Sequence, residues 1–304
     1  MTLLAFIGMS LVWSFSWFAM KLQVDSIVAV EVSLFYRFFA VACLMTILCM
    51  VTKKRLKPFK TEYKYFALIG LTNFSLNFLI GYHTTKFIPS GMIAVIFSLS
   101  IITSEIFKVI FDGKKIEPKI ILSSLIGFCG LTLFIFPTLK FDHNSSNINL
   151  IIGIMMAILM MVVFSFGNYL VEKNKQQNHT PLFTSIAFGA IISSCYLIII
   201  NYALGNKFII DYSAKYILSL IYQIIFASII AFLCFYFLIQ KVGAVKANYT
   251  ALVYPTIALI ISSIFENFKF TTLGNIGLIF IIIAIALEFS SNKFFTKIFN
   301  VSKA

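Results

Sequence analysis

Charge is scarce in this chain. Only 12% of its 304 residues are Asp, Glu, Lys or Arg, and just 11 are acidic, whereas roughly a quarter of a soluble domain is charged. No hydrophilic segment is long enough for a soluble domain; the longest polar connections, near 139–149 and 205–215, are short loops. The motifs of enzyme chemistry are missing too. There is no G-x-x-x-x-G-K-[ST] loop to cradle phosphates, no G-x-S-x-G elbow and no H-E-x-x-H; the three histidines (His83, His143, His179) stand in unrelated places. The five cysteines lack metal-ligand spacing and are expected to pack as small polarizable side chains. These absences argue against an enzyme, a cofactor and a metal site.

Apolar length is what the chain has in quantity. It is 60% hydrophobic, and runs of about 20 residues, each able to cross a hydrocarbon core of roughly 30 Å, recur along it. Ten spans are read, near 2–20, 28–51, 65–84, 89–111, 119–137, 149–171, 182–204, 216–239, 247–265 and 272–291. Runs this long and continuous predict helices, because backbone groups in lipid must bond within their own segment. The expected fold class is an all-α polytopic membrane protein of ten transmembrane helices. No Lys or Arg precedes the first span and no cleavage pattern follows it before Lys21, so that span reads as retained. No two spans both carry a central aspartate, as an intramembrane aspartyl protease would need.

The net charge of +13 is distributed as a topology signal and not as a nucleic-acid footprint. Six basic residues lie in the loop 53–64, and Lys114, Lys115, Lys119, Lys173, Lys175, Lys241, Lys246, Lys293, Lys297 and Lys303 occupy alternate connections or the tail. The opposite connections hold only Lys21, Lys86, Lys140, Lys207, Lys215 and Lys269. The positive-inside rule then places both termini in the cytoplasm, with the chain in a bacterial inner membrane. The sequons at Asn144, Asn178 and Asn248 read as chance matches.

An internal duplication is visible. Shifted by 154 residues, "YHTTKFIPSGMIAVIFSLSIITSEIFKVIFDG" lies over "YFLIQKVGAVKANYTALVYPTIALIISSIFEN", so that Tyr82 meets Tyr236 and Asp112 meets Glu266. A first five-helix repeat over 1–137, an outer loop at 138–148, a second repeat over 149–291 and a tail at 292–304 follow. Five is odd, so the halves enter the membrane oppositely, as in secondary transporters whose halves enclose a midplane site.

"YRFF" after a first span with an aromatic–small–aromatic cluster, "IPSGMIAVIFSLSIITSEIFK" leading to "FDG", and "VGAVKANYTALVYPTIALIISSIFE" together resemble the EamA-type family of the drug/metabolite transporter superfamily. The resemblance covers nearly the whole chain. It departs at Ser14 and Ser16, where glycine and asparagine are usual, and at Ile101, where a proline is common; Pro255 keeps that proline in the second half. The resemblance implies a carrier of small metabolites, with amino acids and their derivatives as the expected cargo. A nucleotide-like or S-adenosylmethionine-like cargo is the alternative within carriers, and a membrane enzyme or scaffold the alternative outside them.

Polar groups inside the spans are expensive in lipid and are therefore the candidate substrate-binding and pathway residues. Trp13 and Trp17, the only tryptophans, share a face at i, i+4, as do Asn73 and Asn77 in the third span. Ser98, Ser100 and Glu105 lie in the fourth span, Asn168 in the sixth, and Tyr249 and Tyr254 in the ninth. Each has a plainer account. Asn and Ser bond between helices as packing glue, and aromatic belts at the membrane interface suit Trp17, Tyr82, Tyr169 and His83. Glu105 has two readings: a site for a coupling proton or a substrate amino group, or an i, i+3 pair with Lys108. Pro89, Gly91, Gly243 and Pro255 are candidate hinges for alternating access, Pro255 by kinking the ninth span.

Arg37 is the sharpest case. Nine residues from the outer end of its span, it lies about 13 Å deep, where an arginine costs about 2.5–3.5 kcal/mol. Phe35, Tyr36, Phe38 and Phe39 give no counter-charge, and the aligned site of the second half is Phe188. Two readings stand: a guanidinium fork on a substrate carboxylate, or one bonding free backbone carbonyls to lock the repeats. The lack of an acidic partner favours the second. The whole pattern is that of a secondary transporter with a small-molecule substrate, the bilayer as its partner and the proton as a candidate coupling ion.

Overall fold

The computed structural model describes residues 2–113, 118–138, 145–248, 250, 254–265 and 271–289. Among them every regular element is helical. Seven runs are long and apolar enough to cross a membrane: Thr2–Val24, Val30–Val51, Lys60–Thr84, Ser90–Asp112, Ile148–Asn178, Leu182–Ala203 and Ala214–Val242. Leu125–Ile135 and Thr272–Ala284 are shorter apolar helices. This is the polytopic helical membrane protein that the apolar runs predict.

Helices α1 (Thr2–Val24) and α2 (Val30–Val51) are continuous. The third run is composite: a short 3-10 turn, α3 (Tyr63–Ile69), a π-helical segment Gly70–Leu76, and α4 (Asn77–Thr84). The fourth is broken into α5 (Ser90–Phe97) and α6 (Ser100–Asp112). Then come α7 (Pro118–Ile135), α8 (Ser145–Asn178) and α9 (Leu182–Ala203). Helix α10 (Ala214–Tyr222) leads through a second π segment, Gln223–Ile230, into α11 (Ala231–Val242). Helices α12 (Ala244–Ala247), α13 (Tyr254–Phe265) and α14 (Thr272–Phe289) complete the order.

A π turn widens the helix and puts one carbonyl out of register, so each segment needs a substitute donor. Serine supplies it twice. Ser75 Oγ lies 2.9 Å from Gly70 O, and Ser228 Oγ donates to Gln223 O at 2.7 Å, both across five residues. Small residues govern the helix contacts because lipid gives no hydrophobic drive for helices to associate. Helix α7 packs on α14 at Gly130, where an added Cβ would stand 2.7 Å from Gly277 O. Likewise α2 packs on α9, α5 on α13, α1 on α11, and the third run on α8.

Several expectations change here. Trp17 and Tyr82 are buried inside the bundle, so no interfacial belt holds them; Tyr169 donates to Asp112 at the end of α6 with Lys173 over its ring, a setting its interfacial reading allows. Cys43, Cys129 and Cys195 are exposed on the bundle surface, and of the five only Cys49 is fully packed. Pro255 is the second described residue of α13, and residues 251–253 lie outside the described ones, as does the stretch in which its kink of the ninth span was expected. Gly91 is a close packing contact: a Cβ on it would meet Ser262 at 2.9 Å across the α5–α13 crossing. Pro89 caps α5, and Gly243, at φ +89°, turns the chain between α11 and α12. The fourth run breaks at Ser98–Leu99 without a proline.

Candidate solute site

A small interior cavity of about 30 Å³ lies between α1, α2, α4, α5 and α8. Trp13, Ser16, Trp17 and Met20 of α1 form one wall. Arg37 of α2, Asn77 and Phe78 of α4, Phe97 of α5, and Met160 and Phe164 of α8 close the rest. So four of the sequence candidates, Trp13, Trp17, Arg37 and Asn77, converge on one space. The apolar members escaped a search that looked for polar atoms; nothing separates Phe164 from its neighbours in a chain with 35 phenylalanines.

Arg37 is 1% exposed. Its Nε donates to Ser228 Oγ at 2.8 Å, and Nη1 lies 3.5 Å from the Tyr82 hydroxyl. Tyr82 in turn donates to Gln23 Oε1 at 2.6 Å. The guanidinium stacks over Phe78, 4.2 Å from its centroid, and near Phe38 at 5.1 Å. The partners are hydroxyls and ring faces, not the backbone carbonyls expected of a helix lock. Among the described residues no carboxylate is within salt-bridge distance, and Nη2 has no protein partner. A full positive charge therefore borders the cavity, held by neutral groups.

Two other polar groups of the cavity lining are unspent. Trp17 Nε1 and Asn77 Oδ1 are buried without a hydrogen-bond partner. Trp13 differs: its Nε1 donates to Ala227 O at 3.2 Å, a carbonyl of the second π segment. Trp13 also anchors a ring layer with Phe164 at 5.7 Å, Phe235 at 5.0 Å and Tyr254 at 6.3 Å, while Trp17 stacks on Tyr254 at 6.5 Å. This layer floors the cavity on the side away from Tyr82 and Gln23.

The remaining candidates lie elsewhere. Asn73 and Asn77 part company, because the π segment between them changes the helical register. Asn73 Nδ2 donates to Asn168 Oδ1 at 3.0 Å and to Tyr236 OH at 3.1 Å. Asn168 lies 3.5 Å from Asn248, which donates to Ser104 Oγ at 2.7 Å. This ladder runs beyond the ring layer and joins both halves of the chain. Ser98 bonds its own helix at Val95 O, and Ser100 Oγ is buried without a partner. Glu105 is half-buried on α6, away from the cavity lining. Lys108 reaches across to Glu172 of α8 at 3.2 Å, so its ion pair joins two helices. His83, still part-exposed, pairs with Glu31 in the first turn of α2 at 2.9 Å. Tyr249 lies outside the described residues.

Comparison with known proteins gives a consistent picture. A family model described as the EamA-like transporter family matches residues 1–136 and again 151–289. An uncharacterized transporter of Buchnera aphidicola is 25% identical over 84% of this chain and 83% of its own. One from Clostridium kluyveri is 24% identical over 79% and 76%, and Bacillus subtilis YvbV, also an uncharacterized transporter, 25% over 80% and 76%. A crystal structure of another protein superimposes with TM-score 0.69 at 13% identity, covering 94% of this chain and 96% of that one.

Proposed function

Because the chain belongs to the EamA-like transporter family, we propose that it is a secondary transporter carrying a small polar metabolite, an amino acid or derivative, across the bacterial inner membrane by alternating access. The reading takes ten spans as two inverted repeats with both termini cytoplasmic. Its chief support is the Arg37 guanidinium, which borders an interior cavity without a carboxylate partner, since a charge kept in a membrane interior without a counter-charge is costly.

Contacts between the halves support the repeat. Under an exchange of the two halves, the pairs α2–α9, α5–α13 and α7–α14 map onto themselves, while α1 on the run containing α11 exchanges with α8 on the third run. The π segments correspond too, and at a shift of 153 Ser75 and Gly70 fall on Ser228 and Gln223 with the same side-chain bond.

The test is uptake and efflux by reconstituted protein against labelled amino acids and nucleotides. Saturable movement of an amino acid is expected. A protein that moves no member of the panel, or that chemically alters one, sinks the reading.

A further inference from the structure

From the unspent polar atoms of the cavity we infer that its ligand is a zwitterion with a large apolar side chain, its carboxylate held by Arg37 and Trp17 and its ammonium by Asn77. This deepens the carrier reading above and rests on it.

The duplication first separates structure from ligand at Arg37. In the second half, the serine of the π segment is held by Arg37 of α2. In the first half, the equivalent Ser75 is held by Ser193 of α9, at 2.9 Å. A hydroxyl is thus enough to tie a π segment to its neighbour. The guanidinium brings charge and further N–H groups beyond that task, among them Nη2. An arginine fork with a free nitrogen fits a carboxylate oxygen, and a charge-assisted bond there is stronger than a neutral one.

Trp17 and Asn77 then give the rest of the recognition pattern. Trp17 is 5% exposed and offers a lone donor; Asn77 is 2% exposed and offers an unpaired acceptor. A buried donor or acceptor left unmade is costly, so both atoms reward a ligand that bonds them. Donor and cation suit a carboxylate, and the amide oxygen suits an ammonium. Phe97, Phe164 and Met160 complete the lining with apolar and soft surface and no further charge. At about 30 Å³ the cavity has room for only one or two waters, so admission requires Met20 and Met160 to part.

The experiment measures binding to detergent-purified full chain of three probes with one side chain: L-leucine, 3-methylbutylamine, which lacks the carboxylate, and 4-methylpentanoate, which lacks the ammonium. L-leucine should bind at least about tenfold more tightly than either, the effect of one lost charge-assisted bond. Trp17→Phe, which removes only the N–H, should narrow the gap to the amine. Asn77→Ala should narrow the gap to the acid and leave the other intact. Equal binding of L-leucine and either analogue by wild type overturns the assignment, as does binding of none of the three. A variant that weakens all three alike overturns the role given to that residue. If neither variant is recovered folded, the wild-type ranking alone decides. A protein that ignores all three yet transports a nucleotide refutes the zwitterion and leaves the carrier reading standing; transport of nothing refutes both.

Discussion

Glu172 of α8 ties three elements at the end of the bundle beyond the asparagine ladder. Its Oε2 lies 3.2 Å from Lys108 Nζ on α6 and accepts the Ala244 N–H at the start of α12 at 2.7 Å; its Oε1 accepts from Gln176 at 3.2 Å. In the proposed orientation this is the cytoplasmic end, and the proposed carrier would be closed there by these contacts. The side chains of the pair are only 14% and 13% exposed. Two unit charges at that distance attract by about 5 kcal/mol at an effective dielectric of 20. Desolvation offsets part of this. Removing one partner costs about 3–5 kcal/mol when a pair is buried and less than about 1 when exposed, so about 2–3 kcal/mol is expected here. Glu172→Gln should therefore favour the cytoplasm-open form by about 30- to 150-fold. The assay is the rate at which a membrane-impermeant maleimide, applied from the cytoplasmic side, labels Ser16→Cys in a cysteine-free background. A rate within twofold of the Glu172 parent would refute the closing role, even if the variant melted earlier.

Two further outcomes are expected. Gly167→Ala drives a Cβ into the Asn73 amide and the Thr72 hydroxyl; it should lower the melting temperature by several degrees, with partial recovery in the Asn73→Ser background, and an unchanged melting curve would contradict the close α8 contact. Glu105→Gln, if Glu105 carries a coupling proton, should retain solute binding and abolish transport driven by a pH gradient; unchanged pH-driven transport in the variant removes Glu105 from coupling.

Much of the fold could be read in the sequence because lipid imposes one rule everywhere: apolar length becomes helix. What it could not show was where helices deviate from ideal. Neither π segment has a proline, and the Ser98–Leu99 break follows a run of apolar residues, "GMIAVIF". Ser75 and Ser228 compensate the π turns, but a serine in a span is common enough to carry no signal alone. The same shortfall misled the Asn73–Asn77 pairing, which is sound for an α-helix and fails across a π turn. Trp17 and Tyr82 show the converse error. Amphipathic rings suit an interface by composition, yet a cavity and a polar network inside the bundle hold them better.

Arg37 marks the limit most clearly. Depth and cost were calculable from sequence, and they established that the residue needs a reason. Choosing between a lock and a ligand needed its counterpart in the other half, and linear alignment supplied Phe188. The spatial counterpart is Ser193, which meets Ser75 as Arg37 meets Ser228. Alignment missed it because the shift that superposes the early spans and pairs Arg37 with Phe188, 151, is not the offset of 156 between Arg37 and Ser193; insertion and helix rotation separate register in sequence from register in space. Once the serine pair is seen, the lock is shown to need only a hydroxyl. In the carrier proposed above, the guanidinium's surplus donors and charge belong to the asymmetric part of the two repeats, which is where the proposal has a solute lacking two-fold symmetry recognised.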